Sequence, residues 1–358
     1  MYQYNEIKAV HLEVTQRCQA SCPMCDRNEN GGIVNRHLTN AELSLADCKQ
    51  IFKPEFIANL DRMYMCGNHG DPIVAEDTLE IFKYFRDNNP NMWLSMNTNA
   101  GAKDSEWWTE LAKIYGRMGC VLFSVDGLED TNHLYRQNVQ WPIVMNSMQA
   151  FINAGGRARW DYIIFEHNEH QVEEAETLSK LMGFEKFQKK KTGRFYSTNK
   201  FKTKDEHQAK NRKGKDTQKL ELPKEEKNKN KALDKVAKIE EKYGSMHEYH
   251  DKVKIDCKVA KEKNIYISAE GLLLPCCWTA GRMYKWWFED PREEQIWNYI
   301  QDKDAINTKI HGLQSVMENG FIQSIQNSWA LPNTKAGKLK VCADKCGVEF
   351  DAFKEQYK

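Results

Sequence analysis

The chain has no apolar run near the roughly 20 residues needed to cross a bilayer, so the sequence provides no membrane span. Its opening, MYQYNEIKAVHLEVT, lacks a basic n-region and an apolar h-region, so no secretory signal is expected and the expected compartment is the cytoplasm. Charge of one sign is also missing: 52 Lys/Arg against 51 Asp/Glu leave a net +1, which removes the bulk electrostatic reason for a nucleic-acid partner. No internal repeat is evident. The 11 cysteines are an odd number, which speaks against a complete disulfide framework. In a reducing compartment, clustered cysteines more often bind metals than form disulfides. What remains is the profile of a globular chain of 358 residues, 41% hydrophobic and 29% charged, long enough for one large domain or two ordinary ones.

Eight of the cysteines fall in clusters. Cys18, Cys22 and Cys25 lie in EVTQRCQASCPMCDRN, spaced C-x3-C-x2-C. Three closely spaced thiolates can hold three irons of a [4Fe-4S] cubane, and no fourth cysteine follows at ferredoxin spacing. One iron is then left open to bind and activate something else. A zinc site is the plainer alternative; it needs a fourth ligand, and His11 and His37 are nearby candidates. Cys48, Cys66 and Cys120 stand alone and read as small buried apolar residues.

From residue 7 to about 195, short apolar runs alternate with amphipathic stretches. Strands are expected at 7–14, 62–67, 92–100, 121–127 and 159–168. Helices are expected at 44–56, 77–88, 105–116, 142–156 and 171–184, the fourth closed by Gly155, and 185–194 ends the series. Five or six strand–helix alternations predict a parallel α/β fold. About 190 residues are too few for the roughly 250 of a full TIM barrel, so a partial (β/α)6 barrel over 1–199 fits better. Chemistry in such barrels sits at the C-terminal ends of the strands, where the cysteine loop follows the first strand.

Residues 200–242 carry fifteen Lys/Arg against nine Asp/Glu, with few aromatics. This reads as a solvated, Lys-rich linker or insertion (200–250), helical from Ala232 to Tyr243. Residues 251–358 form a second, small α+β module. There NIYISAEGLLLPCCW predicts a hairpin around Glu270-Gly271. Cys257 and Cys276 flank it as C-x13-G-x4-C, and Cys342 and Cys346 follow as C-x3-C. Four thiolates from two distant pairs suffice for one complete [4Fe-4S] site, and equally for a structural zinc. Adjacent side chains on a strand point to opposite faces, so only one of Cys276 and Cys277 is expected as a ligand, Cys276 being favoured.

The front triplet after a strand, joined to this back-end pattern, resembles the radical S-adenosylmethionine (SAM) superfamily with a C-terminal SPASM or Twitch domain. The C-x2-C-x5-C-x3-C run of longer SPASM domains is missing, so the resemblance implies one auxiliary cluster, on Cys257, Cys276, Cys342 and Cys346. It implies that SAM chelates the open iron through its amino and carboxylate groups. Electron transfer, from a flavodoxin or ferredoxin, then gives a 5′-deoxyadenosyl radical that takes a hydrogen atom from a substrate. In GNHGDP, Gly70, Asp71 and Pro72 match the family turn that binds the SAM amino group, with Asp in place of Glu. Asn97, with Thr98 and Asn99, is similar to a segment lining the substrate side. Ser124 and Asp126 in SVDG, and Arg136, match positions near the SAM ribose and carboxylate. Met24 stands where an aromatic residue usually precedes the third cysteine, leaving a backbone contact to adenine.

The substrate class implied is a peptide or protein side chain, or a small metabolite. No catalytic base can be assigned; Cys277, Asp161 and Glu166 are the candidates. Two rival classes stand beside this reading: an iron–sulfur electron-transfer protein without SAM chemistry, and a zinc-stapled module whose Lys-rich segment holds nucleic acid.

Overall fold

The computed structural model describes residues 2–195 and 206–357. The expected boundary at 199/200 and the first Lys-rich residues lie outside the described residues. Strands β1 (Ala9–Leu12), β2 (Arg62–Met65), β3 (Trp93–Thr98), β4 (Gly119–Ser124), β5 (Ala158–Ile164) and β6 (Lys186–Lys191) pair in sequence order, each parallel to the next. Helices Leu45–Ile51, Thr78–Asn88, Ser105–Tyr115, Trp141–Asn153 and Val172–Met182 connect them. This is the α/β arrangement the alternation predicts.

The local causes are ordinary. Asp104 caps the helix Ser105–Tyr115 through Trp107 N (2.9 Å), and Ser44 with Asp47 forms a capping box. Gly183 ends the helix Val172–Met182 at φ +91°, in the left-handed region that glycine enters at little cost. Burial alternates along β3 and β4: Leu94, Met96, Val121 and Phe123 face the helices and are buried. Against them pack Trp108, Tyr115 and Phe151, whose rings meet Phe123 or one another at 5.5–6.3 Å. The alternate residues Ser95, Asn97, Leu122 and Ser124 are half-buried. They face the other side of the sheet, the barrel interior.

Two features exceed the sequence reading. The hairpin expected in the second module is present as β9 (Asn264–Ile267) and β10 (Leu273–Leu274), but β9 pairs in parallel with β1, Val10 opposite Ile265. The central sheet therefore has eight strands, in the order β10-β9-β1-β2-β3-β4-β5-β6. The Lys-rich segment is also not simply a solvated linker. The helix Ala232–Tyr243 forms as expected, but β7 (Glu206–Lys210) and β8 (Asp216–Glu221) make an antiparallel hairpin. It buries His207, Ala209 and Leu220. Among the described residues no helix is long and apolar enough to cross a membrane.

Candidate active site

The loop after β1 carries Cys18, Cys22 and Cys25 at the C-terminal end of the sheet. Each sulfur has a partner. Asn99 Nδ2 lies 3.6 Å from the Cys18 sulfur, Arg136 Nη1 3.7 Å from that of Cys22, and Asn68 O 3.9 Å from that of Cys25. Burial, and then repulsion from neighbouring Asp71 and the other thiols, pushes the Cys18 thiol up. Burial pushes Cys25 up to about 11. The three thiols are thus close enough for their charges to repel, and two of them face N–H donors that favour thiolate sulfur.

The turn after β2 fits against this loop. A Cβ at Gly70 would lie 1.8 Å from Thr15 O, so only glycine allows the approach. Asp71 is buried and committed to structure: Oδ2 accepts from Asn99 N (2.8 Å) and Asn99 Nδ2 (2.6 Å), and Oδ1 accepts from Ile73 N (3.2 Å). Burial raises its carboxyl above the usual range. Its side chain therefore aims Asn99 at Cys18. Pro72, the next residue, is buried.

Asp126 is fully buried; its Oδ2 accepts from Arg136 Nε at 2.7 Å, and its Oδ1 from Ile163 N at 2.6 Å. Burial opposes the charge of Arg136, but Asp126 and Cys22 outweigh it and hold the guanidinium firmly protonated. Arg136 thus bridges the β4 loop to the front cysteines. Asn97 and Ser124 stand on the interior face, Ser124 in register with Asp161. The Met24 carbonyl accepts from Arg194 Nη1 (3.0 Å), so that backbone atom already has a partner. The proposed zinc partners are engaged elsewhere: His11 Nε2 donates to Cys66 O (2.5 Å) and His37 Nε2 to Phe288 O (2.9 Å).

A second thiol group assembles within residues 257–346. An antiparallel bridge between Ile255 and Gly347 and the bond from Asp256 N to Cys346 O (2.8 Å) bring Cys257 to Cys346. The hydrogen bond between these two thiols raises Cys257 and lowers Cys346. Cys276 and Cys342 complete the group; after burial, mutual repulsion with its other thiols raises both. Burial, with the neighbouring charges of Cys276, Cys66 and Glu13, raises the Cys277 thiol well above its usual range.

Among the described residues no three His, Cys, Asp or Glu side chains converge on one metal ion. A cluster needs no such convergence, because its thiolates sit on separate irons. Both cysteine groups fit that donor chemistry: thiols only, the front three on one loop with N–H donors at two of the sulfurs, and the back four from two helix starts (Cys257, Cys276) and the helix Lys340–Cys346.

Of the candidate bases, Asp161 is held by Arg159 Nε (2.5 Å) and Lys190 Nζ (2.5 Å), and Glu166 by Lys224 Nζ (2.5 Å) on a half-buried edge. Neither is a free base. Sequence reasoning missed Glu13. This carboxylate is buried between the first two loops and β9, accepts from His69 N (2.6 Å) and Tyr266 Oη, and is raised by burial to about 7. A lone acidic residue in the apolar string HLEVT was the available signal.

No protein-family model matches this chain, and no curated protein matches it in sequence. Solved structures do match in shape. SuiB from Streptococcus suis aligns at TM-score 0.56 and 15% identity, over 94% of this chain and 72% of that one. SuiB bound to its precursor peptide SuiA aligns at 0.54 and 13%, over 98% and 77%. Native anSMEcpe with bound AdoMet and Cp18Cys peptide aligns at 0.53 and 10%, over 98% and 94%. SuiB and anSMEcpe are radical SAM enzymes with SPASM or Twitch domains. At these identities the likeness establishes a shared fold along nearly the whole chain.

Proposed function

We propose that this chain is a radical SAM enzyme with one auxiliary cluster. The observation that carries the reading is the front loop: three thiols at the mouth of a parallel barrel, with Asn99 and Arg136 directed at the sulfurs of Cys18 and Cys22. SuiB has been solved bound to S-adenosylmethionine and anSMEcpe bound to AdoMet, on the same fold.

Cys18, Cys22 and Cys25 would hold the front [4Fe-4S] cluster. Cys257, Cys276, Cys342 and Cys346 would hold the auxiliary one. When bound, the front cluster supplies the electron that cleaves SAM to methionine and a 5′-deoxyadenosyl radical, which takes a hydrogen atom from the substrate. This chain's residues bind and orient. Backbone groups of the Gly70-Asp71-Pro72 turn would receive the SAM ammonium. Arg136, with Nε on Asp126 and Nη1 directed at Cys22, would offer Nη2 to a carboxylate. Ser124 and Asn97 offer polar contacts from the barrel wall. The 206–221 hairpin would shield the outer side of the loop from water through its contacts with Gln19, Ser21, Pro23 and Asn30.

The substrate is best read as a peptide or protein side chain, because SuiB was solved with precursor peptide SuiA and anSMEcpe with the Cp18Cys peptide. A small metabolite is the other class. A flavodoxin- or ferredoxin-type donor would supply electrons, and a reducing cytoplasm suits unpaired thiols. Anaerobic purification should give about eight iron and eight sulfide per chain, and dithionite with SAM should release 5′-deoxyadenosine. One or two zinc ions instead, or iron without SAM cleavage, would refute the proposal.

A further inference from the structure

The 206–221 hairpin is the outer cover of the front cysteine loop. His207 Nε2 bonds Pro23 O (3.0 Å), and Lys210 N donates to Asn30 O (2.8 Å). Arg212 Nε donates to Ser21 Oγ (3.1 Å), and its Nη2 to Gln19 O. A Cβ on Gly31 would meet Lys210 O at 3.0 Å, so the two backbones lie in close contact. The other sides of the loop are internal. Asn35 Nδ2 bonds Tyr284 O (2.6 Å), Asp26 pairs with Lys285, and Arg194 holds Met24 O.

Charge on the hairpin is divided. In the stem, Lys219 pairs with Glu206 (3.2 Å) and Lys210 with Asp216 (3.3 Å). At the tip, Arg212, Lys213 and Lys215 are exposed, and among the described residues none makes an ion pair. The tip is fixed rather than loose: Asn211 Oδ1 accepts from Lys213 N (2.9 Å) and Lys215 N (3.2 Å), and Gly214 takes φ +74°. Three cations in a chain of net charge +1 therefore project from one rigid turn. One of them, Arg212, touches the backbone between Cys18 and Cys22.

We propose that this tip is the docking surface for an acidic one-electron carrier that reduces the front site. The inference rests on the cluster assignment above. An acidic partner is drawn to exposed, unneutralised cations, and such complementarity sets encounter rate and orientation more than chemistry. Docking here puts the carrier one residue, Arg212, from the loop that bears the thiols. One electron leaves the reduced carrier and enters the front site, with no bond made or broken at the interface.

The test uses Lys213→Glu/Lys215→Glu, two exposed residues outside the cysteine loop. Binding of an acidic bacterial flavodoxin is measured at low and high salt on the purified protein. SAM cleavage is then driven either by reduced flavodoxin or by dithionite, with no substrate added. The expected result is at least a tenfold weaker flavodoxin complex, wild-type affinity that falls steeply with salt, and unchanged dithionite-driven cleavage. Flavodoxin affinity and flavodoxin-driven cleavage both within twofold of wild type would overturn the docking site. So would unchanged flavodoxin binding accompanied by loss of binding to an acidic peptide or RNA. Loss of dithionite-driven cleavage in the wild type would instead overturn the cluster assignment.

Discussion

Asp126→Asn tests the electrostatic link between the barrel and the cysteine loop. Asp126 is fully buried, and its two oxygens accept from Arg136 Nε at 2.7 Å and Ile163 N at 2.6 Å. An asparagine can keep the Ile163 bond through its oxygen. Its amide then faces Arg136 Nε with a donor against a donor. The guanidinium is left buried without its counter-charge, and breaking a buried pair in this way costs about 3–5 kcal/mol. Replacing both partners removes the stranded charge. Asp126→Asn with Arg136→Met should therefore lose less than the two single changes together, with a coupling of about 2 kcal/mol or more. Anaerobic urea unfolding of the four proteins, followed by tryptophan fluorescence, measures each loss. The single variant should also bind SAM at least tenfold more weakly, because Arg136 loses its fixed orientation beside Cys22. A loss below about 0.5 kcal/mol for Asp126→Asn, the scale of an ordinary surface change, would refute this account of the pair.

Glu13 gives a pH signature. Its carboxyl is raised by burial from 4.5 to about 7, so the folded chain holds that proton more tightly than the unfolded one. Its contribution is fully present below about pH 4.5 and is lost as pH rises through 7, at most about 3 kcal/mol. Glu13→Gln should flatten that part of the urea-midpoint profile between pH 5 and 7.5, and an unchanged slope would count against it. Gly70→Ala should move the turn off Thr15 O, which a Cβ would approach to 1.8 Å. Weaker SAM binding and a lowered unfolding midpoint are expected, and wild-type values for both would contradict the packing. Cys342→Ser should remove about four iron per chain while dithionite-driven SAM cleavage continues; full iron retention would show that Cys342 is no ligand.

The sequence exposed the barrel because its strands and helices differ in period, and the front site because three thiols fall within eight residues. The rest was hidden for identifiable reasons. β7 buries His207 and Ala209, one polar and one small, so no hydrophobic alternation stands out among the lysines. Only Asn211 and Gly214 in NRKGK announced the turn. The pairing of β9 with β1 joins residues some 255 positions apart, Ala9 with Asn264, and no local pattern encodes it. The roles of Asp71 and Asn99 were partly legible. Their motif placed them at the site, but not that Asp71 serves Asn99, which in turn meets Cys18. Arg194 lies far from the motif in sequence and reaches Met24 only through the fold.

The central claim is a vacant iron coordination site at the front cysteines. Electron paramagnetic resonance of the reduced, oxygen-free Cys342→Ser protein isolates the front cluster. Adding SAM labelled with nitrogen-15 at its amino group should change the signal and show coupling of that nitrogen to one iron. An unaltered spectrum at saturating SAM would contradict the account.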